Sequence, residues 1–267
     1  MNLAETREAF ERGEMPKDQY IHAMYALHAG LLEYSDFIRR TDVAEIRITD
    51  GRAVITTRSD GIQLICPSGD TRSVPIEILN FGSYELSQAR MMLKLIQDSF
   101  TVFDVGANAG WYSLLIAKHY PRADVHAFEP IPNTFRLLRD NAALNGLSNI
   151  HAHDFGLSDR DGELVFYYEP HYSARASAAD LSDGAETLKL QCPVRKMDGL
   201  FPQLCSKVDF IKCDCEGGEL FVFEGAKETL ARFKPIVFTE MLRKWSAKFD
   251  YHPNRIIELF ESLDYGC

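Results

Sequence analysis

From Thr101 onward, short apolar segments alternate with segments of helical periodicity, and this alternation constrains the fold more than any other feature of the chain. Five apolar segments have the length of buried strands, namely TVFDVG, ADVHAFE, NIHAHDF, KVDFIKCD and KPIVFTEM. Helix-like segments follow the first, second, fourth and fifth of them. This alternation is typical of a parallel sheet covered on both faces. The sequence therefore predicts a doubly wound α/β fold with a mostly parallel sheet.

Two of the helix-like segments carry predictions about where helices begin and end. The segment NTFRLLRDNAALNG is expected to have Asn133 as its N-cap and to stop at Asn145-Gly146. The segment ELFVFEGAKETLARF is expected to form one continuous helix. Between the third and fourth strands, residues 159–200 form an insertion with two further strand-like stretches.

The first 75 residues have a different pattern. Apolar residues recur at helical spacing over residues 1–40, whereas residues 43–66 alternate as strands do. Asp50-Gly51 lies between two strand-like stretches and predicts a β-hairpin, and a third strand, GIQLIC, is expected to follow. We therefore divide the chain into a helical and hairpin extension over residues 1–75 and a larger domain over residues 76–267.

Composition argues against several classes of partner. The chain has 29 Lys and Arg against 39 Asp and Glu, a formal net charge of −10. Phosphate backbones are bound by clustered basic residues, so we expect no nucleic-acid partner. No apolar run has the length of a membrane span, and the polar start MNLAETREAFERGE does not resemble a signal peptide. We expect a cytoplasmic protein without a membrane span.

The six cysteines suggest neither a zinc site nor disulfide bonds. Only Cys213 and Cys215 are closely spaced, and no second pair accompanies them. Two positions apart on a strand, these thiols are expected to share a face and to pack as small apolar groups.

The loop after the first strand is the first candidate for ligand binding, because ligands of open α/β sheets bind at the carboxyl ends of the strands. In DVGANAG, Gly106 and Gly110 let the backbone approach a ligand. The loop lacks the G-x-G-x-x-G pattern of dinucleotide sites. Asp104 at the strand end would repel a phosphate and favours a cationic ligand.

The next two strand ends extend this candidate site. Glu129 ends the second strand, where a carboxylate can accept both hydroxyls of a ribose. The alternative is a charge that stabilises the start of the next helix. At the third strand end, Asp154 or its neighbours are expected to meet an adenine edge. His151 and His153 share a strand face, and we favour structural histidines over a metal site.

The fourth strand end has the densest charge. On a continuous strand, Lys212, Asp214 and Glu216 would project to one side. One interpretation is a general base with a cation that orients it. The other is an ion-paired helix entry, with Glu219 in the first turn. Glu240, which ends the fifth strand, is expected to complete the site, and a divalent metal held by the carboxylates is a weaker alternative.

Taken together, these segments resemble the FkbM-type methyltransferases, class I enzymes that depend on S-adenosyl-L-methionine. The resemblance is carried by FDVGANAGWYSLLIA, AFEP, KVDFIKCDCEGGE and PIVFTEM, with further similarity in GSYE and VRKMDGL. It implies a Rossmann-like sheet and O-methylation of a sugar hydroxyl in a polysaccharide or glycolipid, or of a secondary metabolite. This sheet usually ends with a sixth and a seventh strand. The chain ends at Cys267, where the sixth would begin, so we expect either a truncated chain or an edge covered by a partner.

The resemblance also implies residue roles. Expected cofactor contacts are Asp104, Gly106, Ala107, Asn108, Gly110, Tyr112, Glu129, Asp154 and Glu85. Expected catalytic residues are Asp214, Glu216 and Lys212, which match a Lys-x-Asp-x-Glu-Gly signature. In this interpretation one carboxylate takes the proton of the acceptor hydroxyl and the lysine holds its geometry. Expected acceptor contacts are Glu240, Tyr172 and Arg175, although the aromatic part of the insertion is equally compatible with a surface hairpin.

Two other functions stay open at this point. One is an NAD(P)-dependent oxidoreductase on the same fold, which fits Glu129 but not the loop that contains Asp104. The other is a catalytically silent partner protein that docks through residues 1–75. A homo-oligomer is compatible with each of these functions, and the sequence does not identify the acceptor.

Overall fold

The computed structural model describes residues 1–49, 51–181 and 187–266. The strands in these ranges are β1 (Val43–Thr49), β2 (Arg52–Thr57), β3 (Gln63–Cys66), β4 (Thr101–Val105), β5 (Asp124–Phe128), β6 (Ile150–His153), β7 (Gly156–Leu157), β8 (Gly162–Tyr168), β9 (Leu188–Arg195), β10 (Phe210–Cys213) and β11 (Ile236–Thr239). The helices are α1 (Leu3–Glu11), α2 (Lys17–Phe37), α3 (Val74–Phe81), α4 (Leu86–Leu95), α5 (Trp111–His119), α6 (Pro132–Leu144), α7 (Glu219–Glu224), α8 (Lys227–Phe233), α9 (Arg243–Ser246) and α10 (Asn254–Ser262).

A five-stranded sheet forms the centre of the molecule. Its order is β11-β10-β4-β5-β6, and each neighbouring pair is parallel. The chain leaves β4 in one direction through β5 and β6 and returns on the other side through β10 and β11. The predicted α/β fold is confirmed, and its topological switch point lies between β4 and β10. This is where such sheets bind ligands.

Both faces of the sheet are covered. Val102 of β4 belongs to a buried cluster with Leu114 of α5, whereas the next residue, Phe103, belongs to another cluster with Phe223 of α7 and Phe260 of α10. Successive residues of a strand point to opposite faces. Both faces of the strand are therefore buried, which explains why apolar residues are adjacent along it and do not alternate with polar ones.

The N-terminal strands form a second sheet, which shares a buried cluster with helix α5 of the central α/β unit. Strands β1, β2 and β3 are antiparallel in that order, as the sequence predicts. Asp50 of the predicted hairpin turn lies outside the described residues. Ile55 and Leu64 share a buried cluster with Leu114, and the Asn141 carboxamide accepts the Ile65 N–H at 3.0 Å. The division of the chain at residue 75 stays a prediction.

Strands β8 and β9 of the insertion form a third, smaller sheet with β7, which directly precedes the insertion, and its order is β7-β9-β8. Strands β8 and β9 are the predicted ELVFYY and TLKLQCPV segments and pair antiparallel. Residues 182–186, which belong to the predicted insertion, lie outside the described residues. Within the described ranges, no helix has the length and apolar character that crossing a bilayer requires.

Two helix predictions are wrong. Helix α6 begins at Pro132 with Ile131 at its N-cap position, and Asn133 lies inside its first turn, where its side chain accepts a hydrogen bond from Arg136. The predicted end of this helix is confirmed, because Asn145 is the C-cap and Gly146 has φ +64°.

The second wrong prediction is the continuous helix after the fourth strand, which is divided into α7 and α8 at Gly225. A Cβ at Gly225 would lie 2.0 Å from the Ser158 carbonyl oxygen, so the backbone after β7 packs directly on this break. The Asp198 carboxylate accepts the N–H groups of Glu228 and Thr229 at 3.1 and 2.8 Å and thereby caps α8.

Candidate functional site

A cavity of about 350 Å³ lies at the carboxyl ends of the central strands. This volume is within the usual range of small-molecule sites. The sequence-predicted residues that line it are Glu85, Gly106, Ala107, Asn108, Tyr112, Glu129, Lys212, Asp214, Glu216 and Glu240. Ten of the predicted residues, which are dispersed along the sequence, are therefore brought together.

Five other predicted residues are not in the cavity wall. Asp154 is exposed, and the wall near its strand end is formed by residues 156–158 instead. The expectation that Asp154 or its neighbours meet an adenine stays a prediction, and the neighbours 156–158 are the residues that reach the cavity wall. The other four residues that are absent from the wall are Asp104, Gly110, Tyr172 and Arg175.

Asp104 forms a buried ion pair beneath the cavity. Neighbouring strands place it opposite Lys212, and the Lys212 Nζ lies 3.2 Å from the Asp104 Oδ1. The other carboxylate oxygen accepts a hydrogen bond from the Ser113 hydroxyl at 2.6 Å. Asp104 has no exposed surface. The prediction that its carboxylate faces a cationic ligand is therefore wrong, since Lys212 occupies that position.

Lys212 fixes the glycine loop. Its ammonium donates to the Gly106 carbonyl at 2.9 Å, and its side chain is only 6% exposed. Burial alone would lower the pKa of Lys212, but the charges of Asp104 and Asp214 outweigh this effect and raise the pKa above its ordinary value. The raised pKa favours the charged ammonium, and its contacts hold the loops after β4 and β10 together.

The two predicted glycines are required by packing. Gly106 has φ +71°, and a Cβ there would lie 2.0 Å from the Asp214 carbonyl oxygen. Gly110 has φ +92°, and a Cβ there would lie 2.4 Å from the Leu138 Cδ1. Gly106 therefore lets the loops after β4 and β10 approach each other, and Gly110 lets α5 pack against α6.

Glu129 connects the glycine loop to the start of α6. Its Oε2 accepts the Asn108 N–H and its Oε1 accepts the Ile131 N–H, each at 2.9 Å. Burial raises the pKa of Glu129 to about 7 against the opposing effect of these hydrogen bonds. Each carboxylate oxygen has a second lone pair. Because Glu129 also lines the cavity, its structural contacts leave it able to accept further donors there.

The loop after β10 brings carboxylates to one end of the cavity. Strand β10 ends at Cys213, so the predicted strand alternation does not extend to Asp214 and Glu216, and Glu216 adopts φ +50°. In the described part of the chain, the Asp214 Oδ1 and the Glu216 Oε2 are buried and have no hydrogen-bond partner. Burial, followed by the charge of Asp214, raises the pKa of Glu216 to about 8. The same two causes raise that of Glu240 to about 7.

Glu85 and Tyr112 form a neighbouring pair on the cavity wall. The Tyr112 hydroxyl donates to the Glu85 Oε2 at 2.5 Å. Burial, followed by this hydrogen bond, raises the pKa of Tyr112 above its ordinary value. Tyr112 is on the first turn of α5, directly after the glycine loop, so the pair lies beside Asn108 and its neighbours.

Several wall residues were not predicted from the sequence. They are apolar or basic side chains of the N-terminal region, the insertion and the segments after β10, and include Arg72, Leu164, Phe166, Phe221 and Phe249. One local signal was available for Phe249. Gly217 has φ +100°, and a Cβ there would lie 2.8 Å from the Phe249 ring, so the glycine marks a close approach.

The described residues contain no group of three or more His, Cys, Asp or Glu side chains that could hold a metal ion. The predicted pair His151 and His153 instead stacks on His126, with ring centroids 5.0 and 5.3 Å apart. Cys213 and Cys215 are free thiols whose sulfur atoms lie 3.9 Å apart.

The part of the sequence that forms most of this site matches a known protein family. Residues 104–267, more than half of the chain, match the profile of the Methyltransferase FkbM domain. The chain is a member of this family.

Curated relatives agree with this assignment. Methyltransferase 1 of Beauveria bassiana is 31% identical over 147 residues, which cover 48% of this chain and 58% of that protein. The hexuronic acid methyltransferase AglP of Haloferax volcanii is 28% identical, and the match covers 53% of this chain and 56% of that protein. The 31-O-demethyl-FK506 methyltransferase FkbM of Streptomyces tacrolimicus is 28% identical, and the match covers 48% of this chain and 59% of that protein. The chain thus spans less than three fifths of the length of these relatives.

A solved structure of a methyltransferase FkbM from Methylobacillus flagellatus KT aligns with 90% of this chain and 53% of that chain. The TM-score is 0.45 and the sequence identity is 16%.

Proposed function

We propose that the protein transfers a methyl group from S-adenosyl-L-methionine to a hydroxyl group of a sugar or another small-molecule acceptor. The observation that carries the proposal is the pair of buried carboxylate oxygens without partners, on Asp214 and Glu216. A buried oxygen that lacks a donor is destabilising unless a ligand supplies one. A cationic sulfur and an acceptor hydroxyl together would supply the missing positive charge and the missing donor.

The remaining wall residues fit this cofactor. Glu129 retains lone pairs at the end of β5, where it can accept ribose hydroxyls. Residues 156–158 flank that position and suit the adenine, and the pair of Glu85 and Tyr112 suits the methionine end. When bound, the cofactor supplies an activated methyl group on a positively charged sulfur. The protein then needs only to bind and align the acceptor and to take its proton.

Among the carboxylates, we assign proton acceptance to Asp214. Its Oδ1 faces no donor, and its negative charge contributes to the raised pKa values of Glu216 and Glu240. Burial and the charge of Asp214 raise the pKa of Glu216 to about 8 in the absence of a ligand, so Glu216 is the weaker candidate for the base; a cationic sulfur beside it would favour its charged form. Lys212 and Asp104 position the glycine loop, whose Gly106 packs against the Asp214 carbonyl.

The acceptor side of the proposal rests on the apolar wall and on two relatives. Phe166, Phe221 and Phe249 present aromatic surface to the cavity, which suits the apolar faces of sugar rings. One relative is named a hexuronic acid methyltransferase, and another is named a 31-O-demethyl-FK506 methyltransferase. The guanidinium groups of Arg72 and Arg175 each lie over the Tyr172 ring, 4.9 and 4.4 Å from its centroid. Because Arg72 lines the cavity, we propose that this stack supports the acceptor end.

The proposal is tested by combining calorimetry with acceptor screening. The protein should bind S-adenosylmethionine, and a labelled methyl donor supplied with glycan and metabolite extracts should transfer its label to a hydroxyl located by mass spectrometry. Asp214→Asn should lower turnover by about 10²–10⁴-fold, the usual contribution of a general base, with a much smaller effect on cofactor affinity.

Asp154→Asn is the matched control, because this exposed aspartate lies outside the cavity wall. It should leave both turnover and affinity unchanged. Binding of a nicotinamide dinucleotide in place of S-adenosylmethionine would contradict the proposal. An Asp214→Asn variant with full turnover would remove the assignment of the base.

A further inference from the structure

Positively charged and aromatic side chains alternate in a row beside the cavity. The guanidinium groups of Arg72 and Arg175 lie 4.9 and 4.4 Å from the centroid of the Tyr172 ring. The Arg175 guanidinium also lies 5.9 Å from the centroid of Trp245, and the Lys244 ammonium lies over the same ring at 4.0 Å. These distances are typical of cation–π interactions. We call these five residues the cation–aromatic row.

Hydrogen bonds attach the middle of this row, which is carried by residues 172–176, to two other parts of the chain. Within this segment the Ser173 hydroxyl donates to the Asp70 carboxylate of the N-terminal region. Directly after it, the Ser177 hydroxyl donates to the Glu216 carbonyl at 2.9 Å. Ser173 and Glu216 both line the cavity. The row therefore lies beside the end of the cavity where we place the acceptor hydroxyl.

Carboxylates of the protein already compensate part of the positive charge in this row. The Lys244 ammonium is close enough to Glu216 and Glu240 to oppose, through its charge, the rise of both pKa values. The Arg72 Nε donates to the Glu77 carboxylate. Lys244 and one edge of the Arg72 guanidinium are thus accounted for by contacts within the protein.

The remaining donors of Arg72 and Arg175 are available to a ligand. Arg72 lines the cavity, and its two terminal amino groups donate to no acceptor within residues 1–49, 51–181 and 187–266. The contacts with Glu77 and Tyr172 fix the plane of this guanidinium. The Arg175 Nε is buried and has no acceptor in the described part of the chain. A buried donor of this kind is destabilising unless a ligand supplies an acceptor.

We propose that the acceptor is anionic and that Arg72 and Arg175 together bind its oxyanion. This inference rests on the proposed methyl transfer and names the class of its acceptor, a sugar or other hydroxyl compound that carries a carboxylate, sulfate or phosphate group. Arginine is suited to this role because its planar donors match the paired oxygen atoms of such groups. Both guanidinium groups lie over the same ring, so a single acceptor can contact both.

The charge of the rest of the site explains why an anionic acceptor needs this row. The chain has a net charge of −10, and Asp214, Glu216 and Glu240 line the cavity. These charges repel an anion. The free donors of Arg72 and Arg175 offset the repulsion locally and hold the oxyanion away from the carboxylates, so that the hydroxyl of the acceptor is the group that reaches Asp214.

The first test determines the charge of the methylated products. Glycan and metabolite extracts are incubated with the protein and a labelled methyl donor, and the products are separated by anion exchange. We expect the label in retained, anionic products. Reduction of the carboxyl groups in the extract to alcohols before the assay should abolish labelling if the oxyanion is a carboxylate, whereas treatment with a phosphatase or a sulfatase should abolish it if the oxyanion is the corresponding ester.

Two results of this test have different consequences. Label that is confined to neutral products would overturn the inference and leave the proposed methyl transfer intact. Absence of label from all products would contradict the proposed function, on which the inference rests.

The second test uses variants with the acceptor-containing fraction as the titrated substrate. Arg175→Gln should lower transfer to anionic products at low acceptor concentration by about 10–100-fold, through KM more than kcat, because a charged hydrogen bond is lost. Arg175→Lys should have an intermediate effect, since lysine keeps the charge but not the planar donors. Arg39→Gln makes the same change in charge at a 77% exposed side chain and should leave transfer unchanged.

The affinity for S-adenosylmethionine separates acceptor binding from cofactor binding. Calorimetry should give the same affinity for the wild-type chain, for Arg175→Gln and for Arg72→Lys, which keeps a cation beside Glu77. Circular dichroism and thermal unfolding check that each variant is folded. An affinity at least about 10-fold weaker in either folded variant would show that these arginines hold the cofactor, for example its carboxylate, and would overturn the inference. Full transfer to anionic products by Arg175→Gln would overturn it as well.

Discussion

Replacing Lys212 by methionine should lower the free energy of unfolding by about 3–5 kcal/mol, the usual cost of removing one partner of a buried ion pair. The side chains of Lys212 and Asp104 are 6% and 0% exposed, so water cannot replace the lost ammonium. The substitution also removes the donor to the Gly106 carbonyl. Methionine has a similar length and is apolar, so the loss measures the charge more than the packing.

Urea unfolding of the Lys212→Met variant gives this number directly, and two further variants test its interpretation. Lys207→Met removes an exposed ion pair of similar length, in which the Lys207 Nζ lies 2.7 Å from the Asp209 Oδ2. The Lys207 side chain is 48% exposed. This substitution should cost at most about 1 kcal/mol. The double variant Lys212→Met, Asp104→Leu should regain much of the loss, since buried pairs are often replaced by apolar residues at little cost. A loss below about 1 kcal/mol for Lys212→Met would refute the account of Lys212 as the buried support of the loop.

Two further predictions concern the loop itself and the carboxylates. Gly106→Ala should weaken cofactor binding, measured by calorimetry, by at least about 10-fold, because the new Cβ would lie 2.0 Å from the Asp214 carbonyl oxygen. Gly146→Ala is the control: Gly146 has a similar φ and no atom within 4 Å of the position of a Cβ, so binding should be unchanged. The pKa values of Glu216 and Glu240 are raised to about 8 and 7 in the folded protein. Through these two groups the folded protein binds more protons than the unfolded chain between about pH 5 and 8. The free energy of unfolding without ligands should therefore fall as pH rises through this range. Glu216→Gln should reduce this slope in urea unfolding at several pH values, and an unchanged slope would show that the burial of Glu216 is not its cause.

Much of the fold could be predicted because its signals are local. The residues of β4 are all buried, and a short run dominated by Val and Phe, with Asp104 as its one charged residue, indicates a central strand. The wrong predictions depend on distant contacts. The break between α7 and α8 requires the approach of Ser158 and the cap from Asp198, and neither appears in the helical periodicity of the segment.

The candidate site shows the same division. The sequence locates Glu129, Asp214 and Glu240 because each follows a strand, and strand ends meet at one edge of a parallel sheet. It could not show that Asp104 is neutralised, because that requires the neighbour relation of β4 and β10 and the register that pairs Asp104 with Lys212. The aromatic wall comes from separate parts of the chain that carry no common motif.

A structure determined with S-adenosylmethionine bound would test the central claim most directly. We expect the ribose hydroxyls within hydrogen-bond distance of Glu129, and the cationic sulfur facing the end of the cavity where the buried oxygens of Asp214 and Glu216 lie. A cofactor bound elsewhere, or with its cationic end directed away from both carboxylates, would contradict the account.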